Sequence, residues 1–140
     1  MILLDTTVLV YAVGSDHPLQ APCRGIIEAV AQGRLAATAT VETIQEFAHV
    51  RARRMDRTDA ASLASNFTRL LAPLVVVDDD DLRAGLDLWR TSEQVGAFDA
   101  VLAATVMRRP HLSALVSADR GFGSVSGLRW LAPYEVEIPQ

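Results

Sequence analysis

Short apolar runs alternate with longer amphipathic stretches along the chain. The runs at residues 2–4, 74–77 and 115–117 show no alternation of apolar and polar positions, which is typical of strands buried on both faces of a parallel sheet. Residues 35–39 and 128–131 predict two shorter strands. Strands that alternate with helices predict an α/β fold, a three-layer α/β/α domain with a central parallel sheet.

The longer stretches have recognisable helix ends. Asp16-His17-Pro18 predicts a helix start, because proline is favoured in the first turn, and Gly33 predicts the end of that helix. Thr40 predicts the cap of the next helix, and Thr58 or Asp59 the cap of the one after it. The predicted helices cover residues 16–32, 40–54, 58–71, a segment after residue 81, and 97–108, with a short helix or turn at 7–13.

Four consecutive aspartates, residues 78–81, precede an amphipathic segment that carries Leu82, Leu86 and Trp89. A metal site at these aspartates is one interpretation. Helix N-termini attract carboxylates through their free N–H groups and their dipole, so capping of the following helix is the favoured interpretation.

Composition bounds the class of protein. A chain of 140 residues, half of them apolar, fits one domain over residues 1–140 with a substantial core. Cys23 is the single cysteine, so we expect no internal disulfide and a reducing, cytoplasmic location. No signal-peptide pattern and no bilayer-length apolar run is present, so we expect no membrane association.

The net charge of −4 at first argues against nucleic acid as a partner. Two details weaken that argument. The chain has no lysine, and arginine is the better bidentate ligand for phosphate. The acids can also be concentrated in one metal site, where a bound cation reverses the local field.

Four carboxylates lie at positions that would bring them to the edge of a parallel sheet where ligands bind. Asp5 and Asp119 follow buried strands, and Glu46 and Asp99 lie on helices that connect strands. Taken singly, each is more often structural, since Asp commonly caps the turn after a strand. Because ligands bind outside the carboxyl ends of parallel strands, the four together predict one acidic site. Glu42, one turn before Glu46, is assigned the structural role of complementing the helix dipole.

Carboxylates that share a pocket repel one another and raise one another's pKa values, and a hard divalent cation relieves this repulsion. Mg²⁺ prefers oxygen ligands. The histidines and the cysteine are scattered, so no zinc site is indicated, and neither a GxxxxGK phosphate loop nor a nucleophile-elbow sequence is present. An all-carboxylate Mg²⁺ or Mn²⁺ site favours phosphodiester hydrolysis.

Four stretches resemble the motifs of a known family. They are ILLDTTVLVY at residues 2–11, the segment from Thr40 to QEF at 45–47, FDAVLAA at 98–104 and LVSADRGF at 115–122. Together, in this order and in a chain of this size, they resemble the PIN-domain ribonucleases, and within these the VapC toxins of bacterial toxin–antitoxin pairs. The resemblance covers the whole chain.

This resemblance implies a metal-dependent endoribonuclease that cuts RNA such as tRNA or rRNA, forms a homodimer and is held inactive by a VapB-type antitoxin. The implied catalytic, metal-binding residues are Asp5, Asp99, Glu46 and Asp119, and the supporting residues are Thr6 and Ser117. The resemblance also implies that Asp5 and Asp99 are the core ligands of Mg²⁺, for which Mn²⁺ substitutes. Some relatives carry a further acid near position 117, where this chain has Ser117, so both one and two metal ions stay open.

Arginines near the predicted site favour contacts with RNA phosphates. Arg51, Arg53 and Arg54 follow the second acid, and Arg120 follows the fourth. The alternative is a solvated helix end, where arginine interacts favourably with the C-terminal dipole.

Other classes fit less well. A phosphatase of the haloacid dehalogenase type needs a second Asp where Thr7 stands, and a receiver domain needs an acidic pair at the end of its first strand. The remaining alternative is a catalytically silent PIN-like binding module for an antitoxin or other protein. That alternative predicts loss of one or more site acids, and all four are present, so the sequence favours the enzyme.

Overall fold

A four-stranded parallel sheet forms the centre of the fold. The computed structural model describes residues 1–140, and its strands are β1 (Ile2–Leu4), β2 (Ala37–Thr38), β3 (Ala114–Val116) and β4 (Trp130–Leu131). They lie in the order β2-β1-β3-β4, and every neighbouring pair is parallel. The strand β1 is central, because Leu3 pairs with Thr38 on one side and with Leu115 on the other.

Six α-helices connect and cover the strands. They are α1 (Thr6–Val13), α2 (Gln20–Ala31), α3 (Val41–Arg54), α4 (Arg57–Leu70), α5 (Asp79–Thr91) and α6 (Ala97–Met107). Two 3₁₀-helices, Arg120–Ser124 and Pro133–Glu135, follow β3 and β4. None of the helices combines the length and the apolar composition needed to cross a membrane.

Helices pack on both faces of the sheet. Ile2 and Leu4 of β1 lie in a core with residues of α1 to α4, among them Phe47 and Phe67, whose rings meet edge to face at 5.0 Å. Leu3 points the opposite way, into a second core with residues of α5 and α6. Successive residues of β1 are therefore buried on opposite faces, which explains the absence of alternation. The predicted three-layer α/β/α fold is confirmed.

The predicted cap of α3 is confirmed and that of α4 is wrong. Thr40 caps α3 by accepting a hydrogen bond from the Thr43 N–H at 3.0 Å. The cap of α4 is Asp56, whose carboxylate accepts from the Asp59 N–H at 2.8 Å. Thr58 lies inside the first turn of α4, where it cannot be the cap.

Residues 74–77 do not form the predicted buried strand. Val75 makes one isolated parallel bridge with Thr40, in which the Val75 N–H donates to the Ala39 carbonyl at 2.9 Å. Val76 is 69% exposed. The segment touches the edge of the sheet beyond β2 and then leaves it along the surface.

An ion-pair cluster around one buried carboxylate joins the start of α5 to the end of α6. Asp78 caps α5 and forms a capping box with Asp81, as the capping interpretation of the four aspartates predicts. Asp81 is fully buried and accepts hydrogen bonds from Arg108 and Arg109, the latter at 2.8 Å to each oxygen. Burial alone raises the pKa of Asp81, but the hydrogen bonds from Arg109, the Asp78 N–H and Arg108 outweigh it and lower the pKa to about 2. The cluster holds one end of α6, whose other end carries Asp99.

Candidate active site

Asp5 lies at the end of β1 and is almost fully buried, with 6% of its surface exposed. It occupies the N-cap position of α1 but makes no side-chain capping hydrogen bond. Its Oδ2 instead accepts hydrogen bonds from the hydroxyls of Ser117 at 2.6 Å and Thr7 at 3.1 Å. Burial raises the pKa of Asp5, and the hydrogen bond from Ser117 opposes this rise. Asp5 is therefore not simply the cap of the turn after a strand.

Asp99 lies in the first turn of α6, half-buried beside the other acids. Its pKa is raised to about 6, first by burial and then by the negative charges of Asp5, Asp119 and Glu46. Charges act on a carboxyl group in this way only when they lie near it. The structure thus brings together all four acids that the sequence predicts.

The four acids line one groove, with a volume of about 280 Å³, which we call the acidic groove. Glu46 projects from an exposed position on α3. Asp119 caps the first 3₁₀-helix, where its Oδ1 accepts from the Gly121 N–H at 2.8 Å. Thr6 and Thr7 also line the acidic groove.

Thr7 supports Asp5 as well, although only Thr6 and Ser117 are predicted from the sequence to do so. The Thr7 hydroxyl accepts the Ala118 N–H at 3.0 Å and lies 3.3 Å from the Ser117 hydroxyl. The two hydroxyls thereby connect the end of β1 with the segment after β3. A hydroxyl two residues after a strand-end aspartate is the sequence signal for this role, because such side chains bond locally.

The donor set of the acidic groove fits a hard divalent cation. All the potential metal-ligand atoms are oxygens. They belong to four carboxylates and to the hydroxyl of Thr6, which is buried without a hydrogen-bond partner. Asp5 and Asp99 would hold the ion, and Glu46 and Asp119 would hold it or its water. No three Asp, Glu, His or Cys side chains already converge as ligands around one point.

A second groove, about 240 Å³ in volume and mostly apolar, meets the acidic groove at three of the site acids and is lined by Glu42. Glu42 lies in the first turn of α3, the position that its predicted dipole role requires. Its Oε2 is nevertheless buried without a hydrogen-bond partner. The carboxylate of Glu42 therefore belongs to the apolar groove rather than to the acidic groove.

Exposed apolar side chains lie beside this apolar groove. Leu82, Leu86 and Phe98 line it and are 47%, 43% and 66% exposed. Trp89, 49% exposed, follows Leu82 and Leu86 on the same face of α5. These four residues form what we call the apolar face.

The arginines predicted to contact RNA differ in their freedom to do so. The Arg51 side chain is 16% exposed and binds Asp59 at 2.6 Å and a backbone carbonyl of α1 at 3.1 Å. It therefore ties α3 to α4 and α1 and is not available to RNA. Arg54 lines the acidic groove, and Arg53 and Arg120 are exposed.

Known proteins resemble this chain over nearly all of its length. A family model for the PIN domain matches residues 2–128. Ribonuclease VapC7 of Mycobacterium tuberculosis is 48% identical over 137 residues, which cover 95% of this chain and 92% of that protein. The solved structure of Mycobacterium tuberculosis VapC20, a sarcin-ricin loop cleaving toxin, matches this chain with a TM-score of 0.70 at 13% sequence identity. The match covers 92% of this chain and 99% of the VapC20 chain. The solved structure of FitAcB from Neisseria gonorrhoeae matches with a TM-score of 0.72 at 16% sequence identity. The match covers 97% of this chain and 100% of the other.

The chain therefore belongs to the PIN-domain family, and its curated relatives in that family are VapC ribonucleases. The prediction of a VapC-type PIN-domain ribonuclease is confirmed, and with it the class of enzyme. The two solved structures, being distant in sequence, show that the fold is shared.

Proposed function

We propose that this protein is a metal-dependent endoribonuclease that acts as the toxin of a toxin–antitoxin pair. The observation that supports this most strongly is the acidic groove, where carboxylates from four separate segments meet and where burial, followed by the charges of the other three acids, raises the pKa of Asp99 to about 6. Oxygen ligands of this kind favour Mg²⁺, with Mn²⁺ as a substitute. When bound, the ion would activate a water molecule and neutralise charge on the scissile phosphate.

The four acids of the groove differ in how firmly the structure holds them. Ser117 and Thr7 fix the carboxylate of Asp5, since both hydroxyls bind the same oxygen. Asp99 is fixed by α6, a helix clamped at its far end by the ion-pair cluster. The two proposed core ligands therefore stand on rigid elements, as a precise site requires. Glu46 and Asp119, which are exposed, would orient water at the open side of the groove.

The proposed substrate is RNA, and the proposed regulator is a VapB-type antitoxin, by resemblance to the VapC toxins. We also propose that the protein is a homodimer, which the apolar face supports. Contiguous exposed apolar surface on a protein commonly marks an interface. A second copy seated on the apolar face would lie beside the acidic groove, because the apolar groove reaches the site acids.

Metal-dependent RNA cleavage tests the proposed function. Antitoxin-free protein should cut total RNA when Mg²⁺ or Mn²⁺ is present and should stop when the metal is chelated. Asp99→Asn should be inactive under the same conditions, and mapping of the new RNA ends would identify the target. Folded protein that cuts no ribosomal or transfer RNA at any metal concentration would favour a silent binding module instead.

Light scattering tests the homodimer separately. Phe98→Asp places a charge in the apolar face and should shift the protein from dimer to monomer. Met55→Asp is the matched control, since Met55 is 57% exposed at the far end of α3. A wild-type protein that is monomeric at micromolar concentration would contradict the homodimer.

A further inference from the structure

A third groove continues the acidic groove past α1. It has a volume of about 340 Å³ and is lined by Val10, Tyr11, Arg54 and the loop of residues 14–17. Val10, Tyr11 and Arg54 also line the acidic groove, so the two grooves are continuous. We call the third groove the extension. The chemistry proposed above takes place in the acidic groove and gives the extension no role.

The extension contains a pair of stacked rings. The centroids of Tyr11 and His17 lie 4.4 Å apart, with an angle of 26° between the ring planes. His17 is held by a turn in which its Nδ1 accepts the Leu19 N–H at 3.1 Å, so its neutral form carries the proton on Nε2. This turn also explains why α2 begins at Gln20 and not at the predicted residue 16. His17 is exposed and Tyr11 is half-buried, so the imidazole is the accessible ring of the pair.

Arg54 is the only arginine that lines either the acidic groove or the extension. Its guanidinium takes no part in the ion pairs of the chain, which involve Arg51, Arg83, Arg90, Arg108 and Arg109. A polyanion that approaches the four site acids needs a positive charge nearby. Arg54 supplies one at the junction of the two grooves.

We propose that the extension binds the single-stranded RNA segment next to the scissile phosphate, with Arg54 holding a backbone phosphate and the Tyr11–His17 pair stacking on a base. The proposal rests on the ribonuclease function proposed above. A free cation beside stacked rings is the combination with which proteins bind single strands, because every base has a face that can stack. An apolar peptide would find few partners here, since Ser15, Asp16 and His17 make the far wall polar.

RNA binding without cleavage tests the extension. All proteins carry Asp99→Asn to prevent turnover, and the probe is a short, fluorescein-labelled single-stranded RNA of random sequence, titrated in Mg²⁺ at several salt concentrations. Arg54→Ala should weaken binding severalfold and reduce the slope of log affinity against log salt by about 0.7, the value for one phosphate contact on a single strand. Arg24→Ala is the control, because Arg24 is exposed on α2 and lines neither groove, and it should change neither quantity.

The stacking pair has its own variants. Tyr11→Leu removes the ring and should weaken binding roughly fivefold or more without changing the salt slope. Tyr11→Phe keeps the ring and should bind like the parent. Ultraviolet cross-linking of RNA that contains 4-thiouridine to the Asp99→Asn parent should label the tryptic peptide 1–24, which holds both rings, whether or not the Tyr11 variants fold.

The outcomes are distinguishable. Equal RNA affinity of Arg54→Ala and Arg24→Ala, or cross-links confined to other peptides, would overturn the proposal. Loss of binding to a co-purified VapB-type antitoxin, with RNA binding unchanged, would assign the extension to a peptide. Wild-type protein that shows no metal-dependent cleavage would refute the ribonuclease function, whereas normal cleavage with unaffected Arg54 and Tyr11 variants would refute the role of the extension alone.

Discussion

The Ser117 hydroxyl donates a 2.6 Å hydrogen bond to Oδ2 of Asp5 and so joins the ends of the neighbouring strands β3 and β1. The same hydroxyl oxygen accepts the Asp119 N–H at 3.0 Å. One neutral side chain thereby sets the positions of two of the four site acids. The geometry of the acidic groove depends on Ser117 although Ser117 carries no charge.

Ser117→Ala should impair metal use without unfolding the protein. Loss of a hydrogen bond that orients a metal ligand commonly costs about 10- to 100-fold in metal affinity or activity. We expect the Mn²⁺ concentration for half-maximal cleavage to rise by a factor in that range, with the circular dichroism spectrum unchanged. Ser113→Ala is the control at the other end of β3, where the hydroxyl only donates to the Met1 carbonyl at 3.2 Å. Equal effects of the two substitutions would contradict the role given to Ser117.

Asp5→Asn should abolish cleavage and leave the fold intact, because an amide oxygen can still accept the hydrogen bond from Ser117. Without metal it should raise Tm, since it removes one of four neighbouring negative charges. Added Mn²⁺ should then raise Tm by less than in the wild type, because stabilisation by a ligand scales with its affinity. Glu28→Gln, at an exposed position of α2 outside both grooves, should leave all three readouts unchanged. Retention of full activity by Asp5→Asn would remove Asp5 from the site.

Glu46→Gln and Glu42→Gln should differ although the residues lie one turn apart on α3. Glu46 lines the acidic groove with the other three acids, whereas Glu42 lines only the apolar groove. We expect Glu46→Gln to lose most of its activity and Glu42→Gln to keep most of it, as measured by initial rates of RNA cleavage in Mg²⁺. The reverse order would move the second site acid from position 46 to position 42.

Asp81 should make the protein sensitive to acid. Its pKa is about 2 in the folded protein and about 3.9 in an unfolded chain, so the unfolded state binds the proton first as the pH falls. The stabilisation is complete above about pH 5 and is lost as the pH falls toward 2. After allowance for solvent screening it amounts to about 1–2 kcal/mol in the free energy of unfolding. Urea denaturation at a series of pH values measures it.

Asp81→Asn isolates this contribution. At pH 7 the substitution should cost about 1.5–3 kcal/mol, because the buried carboxylate loses its hydrogen bonds to the charged Arg108 and Arg109, and the difference from the wild type should shrink as the pH approaches 2. Asp87→Asn breaks only an exposed pair with Arg90 and should change the free energy of unfolding by less than about 0.5 kcal/mol. A difference between wild type and Asp81→Asn that stays constant from pH 7 to pH 2 would show that Asp81 does not titrate in this way.

Strands β1 and β3 could be predicted because an uninterrupted apolar run that ends in a polar residue fits the centre of a parallel sheet. The valine run at residues 74–77 shows where this reasoning fails. Valine has the same strand propensity in a sheet and at a surface, and only the partner strand decides between them. Val75 has one bridge to Thr40 and no strand to extend it, so Val76 is left in solvent.

The grouping of the four acids around one groove could be predicted, but the partners of the arginines could not. Arg51 and Arg54 are three residues apart on α3, and nothing local distinguishes them. Arg51 is bound by Asp59, which arrives from the next helix, while Arg54 finds no acid and remains in the groove. Asp81 likewise meets Arg109 across 28 positions of sequence. Pairings of this kind depend on how helices pack, which periodicity does not encode.

The separation of 112 residues between Asp5 and Ser117 has a consequence for biosynthesis. A ribosome makes the first acid 112 residues before its anchoring hydroxyl, and β1 has no β3 beside it until then. Contacts so far apart form late, because the intervening chain must be ordered first. A nascent chain therefore cannot complete the proposed site until both Ser117 and Asp119 have left the ribosome. A stop codon anywhere before position 117 would yield a fragment that can never assemble the site.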